Sequence, residues 1–357
     1  MNRILFVLLV LASQLMRAED AALPVEVSAS DPKIAYVGRF DFRDAKGPRC
    51  AWPASSAVLK FKGTAADVTL NEMGGNQYQV VLDGKPVKVL SPRKGEGVYT
   101  LATGLPDGEH TVEVIKRTEA SIGVTQFMGF HLGTGAQALD PAKVAFRLEV
   151  IGDSISCGYG NEGKSQNEHF KNETENAYLT YGAIAARALN AEYVCIAWSG
   201  KKMWPNDTIP ELYDRALPND KSSTWDFAKW APDVVLINLA TNDFGKGNPD
   251  EKGWTGAYKT FIVRLRKNYP KALIYCASGS MMSDSWPAGQ KAVTTLHRYL
   301  DSIIEDLKQS GETRVRFLAF EPQDMKNGLG SDWHPSVKTH EIMAAKLVEA
   351  VKKDLGQ

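Results

Sequence analysis

The stretch FRLEVIGDSISCGYG at residues 146–160 determines the fold prediction. Its first part, 146–151, is an apolar run that predicts a buried strand, and Gly152-Asp153-Ser154 then turns the chain sharply. A serine is thereby presented at the carboxyl end of a strand, where α/β folds place their ligands. A serine that only caps the following helix gives the same local pattern. Whether Ser154 is a nucleophile therefore depends on which other residues converge on it.

Apolar strands alternate with helical segments from Val144 onward, a pattern that predicts a parallel sheet covered by helices. Fully apolar strands such as 234–237 fit burial on both faces of such a sheet. We expect a three-layer α/β/α domain over residues 141–357. The predicted strands are 146–151, 192–197, 233–239, 272–277 and 315–320, and the predicted helices are 178–189, 224–230, 255–268, 292–309 and 336–355.

Residues 23–138 contain short alternating strands separated by turns, without helical periodicity. The Asp83-Gly84 pair between two apolar runs is a strong hairpin signal. Regular short strands of this kind predict an all-β sandwich, plausibly a jelly roll, and we assign it to residues 19–140.

The first 18 residues have the pattern of a secretory signal peptide. Met1-Asn2-Arg3 is positively charged, 4–12 is apolar, and small residues lead to Ala18. The apolar run is too short to span a bilayer comfortably. We therefore expect an exported protein, secreted or periplasmic, with no membrane anchor.

The composition argues against two classes of function. The chain has 42 Lys and Arg against 42 Asp and Glu, without basic runs, which offers little to a nucleic-acid backbone. No CxxC motif or Cys/His cluster indicates a metal. Export permits disulfides, but Cys157, Cys195 and Cys276 lie in or beside apolar strands, which favours buried thiols.

Four segments that follow predicted strands carry polar residues suited to one reaction. An imidazole such as that of His334 can accept the proton of a serine hydroxyl and make Ser154 an effective nucleophile. The charge that develops on an acyl oxygen needs preorganised donors, and the backbone amides of Ser154 and Gly200 and the side chain of Asn242 could supply them. Taken singly, Gly200 could be a turn glycine, and Asn242 could bond only its own loop.

These blocks resemble the SGNH (GDS-type) hydrolase superfamily, and most closely carbohydrate esterase family 2. The resemblance depends on 152–160, on Ser199-Gly200-Lys201, on Asp332-Trp333-His334-Pro335-Ser336 and on the leading β-sandwich. It implies an acetyl esterase that acts on plant polysaccharides such as xylan and mannans. It also implies catalysis without a metal or other cofactor.

Two positions depart from the superfamily pattern. The third block begins with Ala240 where the superfamily usually has glycine, although Asn242 is kept. The usual acid lies three positions before the histidine, and that position is Ser331 here. Asp332 could orient His334 if the segment is extended, because residues i and i+2 then share a side. Alternatively, a backbone carbonyl near Asp332 orients the ring and leaves a Ser-His dyad; Glu321 and Asp324 are fallback acids.

Four aromatic residues follow strand ends or flank the histidine: Tyr159, Trp204, Trp286 and Trp333. Exposed rings of this kind suit the apolar faces of sugars, and we predict that these four bind substrate. Packing in the core is the competing interpretation for each of them. The long polar loop 161–175 either flanks a site or is simply mobile.

The predicted function is that of a secreted serine esterase that removes O-acetyl groups from acetylxylan or acetylated glucomannan through an acetyl-serine intermediate. The expected substrate is an acetylated polysaccharide or oligosaccharide, and the expected state is a monomer. The alternatives are an SGNH esterase, lipase or thioesterase that acts on another acyl ester, and a carbohydrate-binding member without activity. The sandwich either binds glycan itself or forms one wall of the cleft.

Overall fold

The computed structural model describes residues 24–356. The predicted signal peptide at 1–18 lies outside this range and stays a prediction. Among the described residues, no helix is both long and apolar enough to cross a membrane.

Residues 24–139 form two antiparallel six-stranded sheets, which we call the sandwich. One sheet has the order β3-β4-β11-β6-β9 with β1 on β11, and the other has the order β12-β5-β10-β7-β8 with β2 on β5. Buried side chains of both sheets, such as Phe61 and Phe127, share one core. The strands are β1 (Val25–Ser28), β2 (Ile34–Val37), β3 (Phe40–Asp41), β4 (Arg49–Cys50), β5 (Ser56–Gly63), β6 (Ala66–Glu72), β7 (Tyr78–Leu82), β8 (Lys85–Leu90), β9 (Gly95–Ala102), β10 (Gly108–Lys116), β11 (Thr125–Leu132) and β12 (Gln137–Leu139).

The predicted hairpin lies between β7 and β8. Asp83 and Gly84 both have positive φ angles, 49° and 76°, which is the conformation that a two-residue type I′ turn requires. The all-β prediction for this part of the chain is confirmed.

Residues 146–356, which we call the α/β unit, contain a five-stranded parallel sheet of order β14-β13-β15-β16-β17. The strands are β13 (Phe146–Gly152), β14 (Ala191–Ala197), β15 (Val234–Asn238), β16 (Leu273–Ser278) and β17 (Val315–Ala319). The helices are α1 (Ser154–Cys157), α2 (Tyr181–Ala188), α3 (Ile209–Leu212), α4 (Thr241–Phe244), α5 (Glu251–Asn268), α6 (Ala292–Gln309) and α7 (Val337–Leu355). Single 3₁₀ turns occur at Asn172–Thr174, Ala177–Leu179 and Met325–Asn327, and Ser331–Trp333 forms a turn with left-handed backbone angles.

Alternate residues of the buried strands face opposite layers of helices, as the period of two in a strand requires. In β15, Val235 and Ile237 join the cluster that contains α5 and α6. Val234 and Leu236 join the cluster that contains α2 and α7. The predicted three-layer α/β/α arrangement is therefore confirmed.

One predicted helix, at residues 224–230, is absent and the prediction was wrong. The segment forms turns, in which the Asp226 carboxylate accepts the Ala228 N–H at 3.0 Å. Its aromatic residues are held individually: Phe227 stacks on Tyr213 with ring centroids 5.6 Å apart, and the Trp230 indole donates to Glu192 at 2.7 Å. The aromatic residues are spaced as in a helical turn, but each makes its own contact with the rest of the α/β unit, and no helix forms.

The four cysteines are buried thiols, as the sequence favoured. Burial raises the pKa of Cys50, Cys195 and Cys276 to about 12. All three thiols therefore stay protonated near neutral pH and pack as small apolar side chains.

A buried ion pair joins the sandwich to β13, the second strand of the parallel sheet. Arg39, after β2, lies 3.3 Å from the Glu149 carboxylate of β13, and both side chains are fully buried. The hydroxyls of Tyr213 and Tyr269 also donate to Glu149, so the buried charge is well solvated by protein groups. The boundary predicted at 140–141 lies between β12 and β13 and, as a division into two domains, stays a prediction.

Candidate active site

The carboxyl ends of three neighbouring strands place the predicted site residues at one edge of the sheet. Gly152, at the end of β13, pairs with Ala197 of β14 on one side and with Asn238 of β15 on the other. Ser154 begins α1 directly after β13, while Gly200 lies in the turn after β14. Asn242 lies in α4, directly after β15. These residues are therefore delivered side by side by the register of the sheet.

Asp153, and not Ser154, caps α1. The Asp153 carboxylate accepts the Ile155 N–H at 3.1 Å, so the serine hydroxyl is not needed for capping. Gly158 ends the helix after one turn with a φ of 82°, where a Cβ would lie 2.5 Å from the Asn176 carbonyl oxygen. Ser154 Oγ lies 2.8 Å from His334 Nε2. Thus the structure brings together the two residues that the sequence placed 180 positions apart.

Two backbone carbonyls orient the His334 ring. Its Nδ1 lies 3.1 Å from the Ser331 oxygen and 3.2 Å from the Asp332 oxygen. A carbonyl oxygen can only accept, so Nδ1 carries the proton of the neutral ring. The lone pair of Nε2 then faces the Ser154 hydroxyl, which donates to it. This is the tautomer in which an imidazole can act as a base toward serine.

The segment before His334 is not extended. Asp332 and Trp333 have φ angles of 50° and 67°, in the left-handed region, and the His334 N–H closes a tight turn by donating to the Ser331 carbonyl at 3.0 Å. This turn places two successive carbonyls near one ring nitrogen. The extended geometry that would put the Asp332 side chain beside His334 is absent.

The Asp332 carboxylate binds a different set of groups. It accepts hydrogen bonds from the Tyr159 hydroxyl at 2.9 Å, from His169 Nδ1 at 2.9 Å and from the Phe170 N–H at 3.0 Å. The hydrogen bond from His169 holds the pKa of Asp332 below its usual range. Tyr159 in turn stacks on the His334 ring, with centroids 4.1 Å apart. Asp332 thus contacts His334 directly through its backbone carbonyl, and its carboxylate acts on the ring only indirectly, through Tyr159.

The two fallback acids are engaged elsewhere. Glu321 pairs with Lys346 at 2.7 Å. Asp324 caps a 3₁₀ turn by accepting the Lys326 N–H at 2.9 Å. Both carboxylates are therefore directed to partners other than His334.

Asn242 links the segments that contain the other two predicted oxyanion donors. Its Nδ2 donates to the Lys201 carbonyl at 3.0 Å and to Asp153 at 3.4 Å, the second contact being long for a hydrogen bond. Gly200 has a φ of 79°, and a Cβ there would meet open space. Asn242 therefore lies between the neighbours of Ser154 and Gly200, and Gly200 faces outward.

Two buried carboxyl groups lie beside these donors. Burial raises the pKa of Asp153 to about 7 and that of Asp243 to about 6. Asp243 accepts the N–H groups of Met203 and Trp204 and the indole N–H of Trp254, so it braces the loop after Gly200. Asp153 and Asp243 are thus protonated more readily than exposed carboxyl groups, and they lie beside the predicted oxyanion donors.

A cleft of about 760 Å³ opens beside Asn242. Trp286 and Trp333 line it and are 72% and 55% exposed. Other lining residues, which the sequence did not single out, are mainly apolar and include Met281, Met282 and Phe244. The Trp204 ring instead packs against Gly253 at the start of α5 and does not line this cleft. A role of Trp204 in substrate binding stays a prediction.

The polar loop 161–175 contributes to the site through His169 and Phe170. The sequence left open whether this long polar loop flanks a site or is mobile, and it did not single out His169 or Phe170 as site residues. The contacts of both residues with Asp332 span more than 160 positions, so no local signal could have identified them.

One group of described residues has side chains close enough to hold a metal ion. Glu119, Cys157 and Glu175 place potential ligand atoms within 4.8 Å of one another, and all three residues are buried. Burial and the charge of Glu119 raise the pKa of the Cys157 thiol well above its usual value. Protein groups already bond three of the four carboxylate oxygens, and we assign no metal here.

Two family models match the chain. Residues 150–342 match the GDSL-like lipase/acylhydrolase family, and residues 36–141 match the carbohydrate esterase 2 N-terminal family. The first match spans more than half of the chain and contains every predicted catalytic and oxyanion residue. The fold and site therefore belong to a GDSL-like lipase/acylhydrolase.

A solved structure of a related enzyme identifies the family within the GDSL-like hydrolases. A solved family two carbohydrate esterase from Clostridium thermocellum, in complex with cellohexaose, is 41% identical, with a TM-score of 0.85 over 90% of this chain and 99% of that one. The chain belongs to carbohydrate esterase family 2. This confirms the family predicted from the sequence, and with it the class of enzyme, a carbohydrate esterase.

Two curated relatives differ in how much of their length the chain covers. The cellulase/esterase CelE of Acetivibrio thermocellus is 41% identical over 345 residues, which are 95% of this chain but only 41% of CelE. An acetylxylan esterase / glucomannan deacetylase of Cellvibrio japonicus is 27% identical over 340 residues, covering 92% of this chain and 90% of that protein.

The surroundings of the histidines predict the order in which they titrate. Burial disfavours the charged ring of His334 and lowers its pKa below the usual 6.5, whereas the hydrogen bond to Asp83 raises the pKa of His110 above 6.5. An NMR titration of the histidine ring signals, assigned with His334→Gln and His110→Gln, should therefore show His110 losing its proton at higher pH than His334. A His334 midpoint at or above 6.5 would contradict this account.

Proposed function

We propose that the protein is a serine esterase that removes O-acetyl groups from plant polysaccharides such as acetylxylan or acetylated glucomannan. The observation that supports it most directly is the 2.8 Å contact between Ser154 Oγ and His334 Nε2 in the catalytically useful tautomer. Family membership supports a carbohydrate as the substrate, since the curated relatives include an acetylxylan esterase / glucomannan deacetylase. Export and a monomeric state stay predictions.

The proposed reaction uses only residues of this chain. Ser154 Oγ attacks the acetyl carbonyl while His334 Nε2 takes the serine proton. The carbonyls of Ser331 and Asp332, already bonded to Nδ1–H, stabilise the imidazolium that forms. His334 then gives the proton to the departing sugar oxygen, and the acetyl group remains on Ser154. Water, deprotonated by the same nitrogen, then attacks the acetyl carbon; the bond from that carbon to Ser154 Oγ breaks, Oγ takes the proton back from His334, and acetic acid leaves and ionises to acetate.

The backbone amides of Ser154 and Gly200 and the side chain of Asn242 are proposed as the oxyanion donors. Asn242 Nδ2 keeps its stronger contact with Lys201, and the long contact with Asp153 identifies the N–H that is available to substrate. Preorganised donors of this kind contribute roughly 10²–10³ in rate each.

Trp286 and Trp333 are proposed to bind the sugar. Both rings are largely exposed and line the same cleft as Asn242. Trp333 also directly precedes His334 in the chain. Their apolar faces suit the C–H faces of pyranose rings. Tyr159 is proposed to support the His334 ring rather than to bind substrate, because it stacks on that ring.

Acetate release tests the proposal. Wild-type protein should release acetate from acetylated xylan and glucomannan, and Ser154→Ala should lose at least about 10³-fold of that activity, because the nucleophile is gone. Enzymatic acetate determination measures both. Release by Ser154→Ala equal to wild type would refute the serine mechanism, and retention of polysaccharide without any Ser154-dependent release would indicate a carbohydrate-binding protein.

Asp332→Asn distinguishes a dyad from a triad. Asparagine keeps the backbone carbonyl, and its amide can still accept from Tyr159 and donate to His169, so we expect kcat within about tenfold of wild type. Loss of a carboxylate that orients the histidine costs up to about 10⁴. Glu321→Gln is the control and should leave kcat unchanged. A 10⁴-fold loss in Asp332→Asn alone would establish Asp332 as the orienting acid.

A second candidate is favoured by the lining of the cleft. Met281, Met282 and Phe244 give it apolar walls that can accept an acyl chain longer than acetyl. An esterase acting on other acyl esters is therefore the alternative activity for the same Ser154 and His334.

A series of 4-nitrophenyl esters from acetate to octanoate separates the two candidates. The acetyl esterase proposal predicts that kcat/KM is highest for acetate and falls as the chain lengthens. A maximum at six or eight carbons would favour the second candidate.

A further inference from the structure

A carboxylate of the sandwich binds the loop that contains Gly200. Glu119 lies in the connection between β10 and β11 and is only 5% exposed. Its Oε2 accepts the backbone N–H of Ser199 at 2.7 Å. Ser199 immediately precedes Gly200, so this contact fixes the chain directly before the proposed oxyanion donor.

The same loop is held on its other side by Asn242. The Lys201 carbonyl, directly after Gly200, accepts from Asn242 Nδ2 at 3.0 Å. Gly200 itself has a left-handed φ of 79° and open space where a Cβ would be, and the turn that contains it is closed by the Lys201 N–H, which donates to the Trp198 carbonyl at 3.2 Å. The hydrogen bond within the turn sets its shape, and the anchors at Ser199 and Lys201 set how the turn, and with it the Gly200 N–H, is placed relative to Ser154.

Glu119 is itself held rigidly. Its backbone N–H donates to Glu175 at 2.9 Å, and its carbonyl accepts from the fully buried ammonium of Lys116 at 2.9 Å. The Ser121 hydroxyl donates to the second carboxylate oxygen, Oε1. Because the backbone and Oε1 of Glu119 are both held, its Oε2 has a defined position at which it binds the loop.

We propose that Glu119 is a positioning residue for the oxyanion hole. It holds the Ser199 amide so that the Gly200 N–H points to the place where the acyl oxygen becomes negative, and the hydrogen bond rather than the charge is what matters. This inference rests on the proposed serine esterase activity. It also gives the sandwich a part in the reaction, because the site in the α/β unit is incomplete without this carboxylate.

Three variants test the inference with 4-nitrophenyl acetate as the substrate. Glu119→Ala removes the acceptor and should lower kcat by roughly 10–10²-fold, less than the loss of a complete oxyanion donor, with little change in KM. Glu119→Gln keeps an amide oxygen for Ser199 and an amide nitrogen for Ser121, and should restore kcat to within about threefold of wild type. Glu113→Ala removes a different carboxylate of the sandwich, one that accepts from the Ser56 hydroxyl at 2.8 Å; it is the matched control and should keep wild-type kcat.

Hydrogen–deuterium exchange supplies a readout that does not depend on activity. The Ser199 amide should exchange faster in Glu119→Ala than in wild type, Glu119→Gln or Glu113→Ala, and melting temperatures identify any general loss of folding. Wild-type kcat in Glu119→Ala, or equal loss in Glu119→Gln and Glu119→Ala, would overturn the inference and leave the serine esterase proposal intact. Absence of Ser154-dependent hydrolysis in the wild type would overturn both.

Discussion

The pairing of β13 between β14 and β15 is the constraint on which the candidate active site depends. β13 pairs with β14 and β15 in one register, so Gly152 lies level with Ala197 and Asn238. Each following segment needs only a short turn to reach the same point. A shift of one residue in either strand pair would turn its side chains to the opposite face of the sheet. Burial of the strands on both faces therefore fixes where the chemistry can occur.

The sandwich is docked on that strand by polar contacts that specify one orientation. Glu149 lies in the middle of β13, and Arg39 is its buried counter-charge. Leaving either charge without its partner in the interior is strongly unfavourable. Arg117 makes a second polar contact, to Glu162 and to the carbonyl of Glu175. These contacts hold the sandwich against β13 and the loop 161–175 in the orientation in which Glu119 meets Ser199.

The features that follow local rules could be predicted from the sequence. Strand periodicity located all five strands of the parallel sheet to within about two residues, and the chemistry of acyl transfer identified Ser154 and His334 as partners. The false helix at 224–230 shows the limit of periodicity in a seven-residue segment, where each aromatic residue has a separate anchor. Glu119 could not be found because its contact with Ser199 joins residues 80 positions apart and has no motif.

The segment before His334 was ambiguous for a physical reason. Spacing alone favoured Asp332 as the orienting acid only if the backbone were extended, and Asp332 and Trp333 instead adopt left-handed angles. Such angles cost roughly 1–2 kcal/mol for each residue other than glycine, and a sequence pattern does not reveal where that cost is offset.

Here the offset comes from Asp332 itself. Its carboxylate accepts three hydrogen bonds, and its N–H donates to the Glu168 carbonyl at 3.0 Å, which together hold the unusual turn. The turn brings the carbonyls of Ser331 and Asp332 to His334 Nδ1. The acid thus contributes to the orientation of the histidine by stabilising a backbone conformation. In this arrangement the Asp332 carboxylate binds Tyr159, His169 and Phe170, and the groups that contact the imidazole nitrogen are neutral carbonyl oxygens.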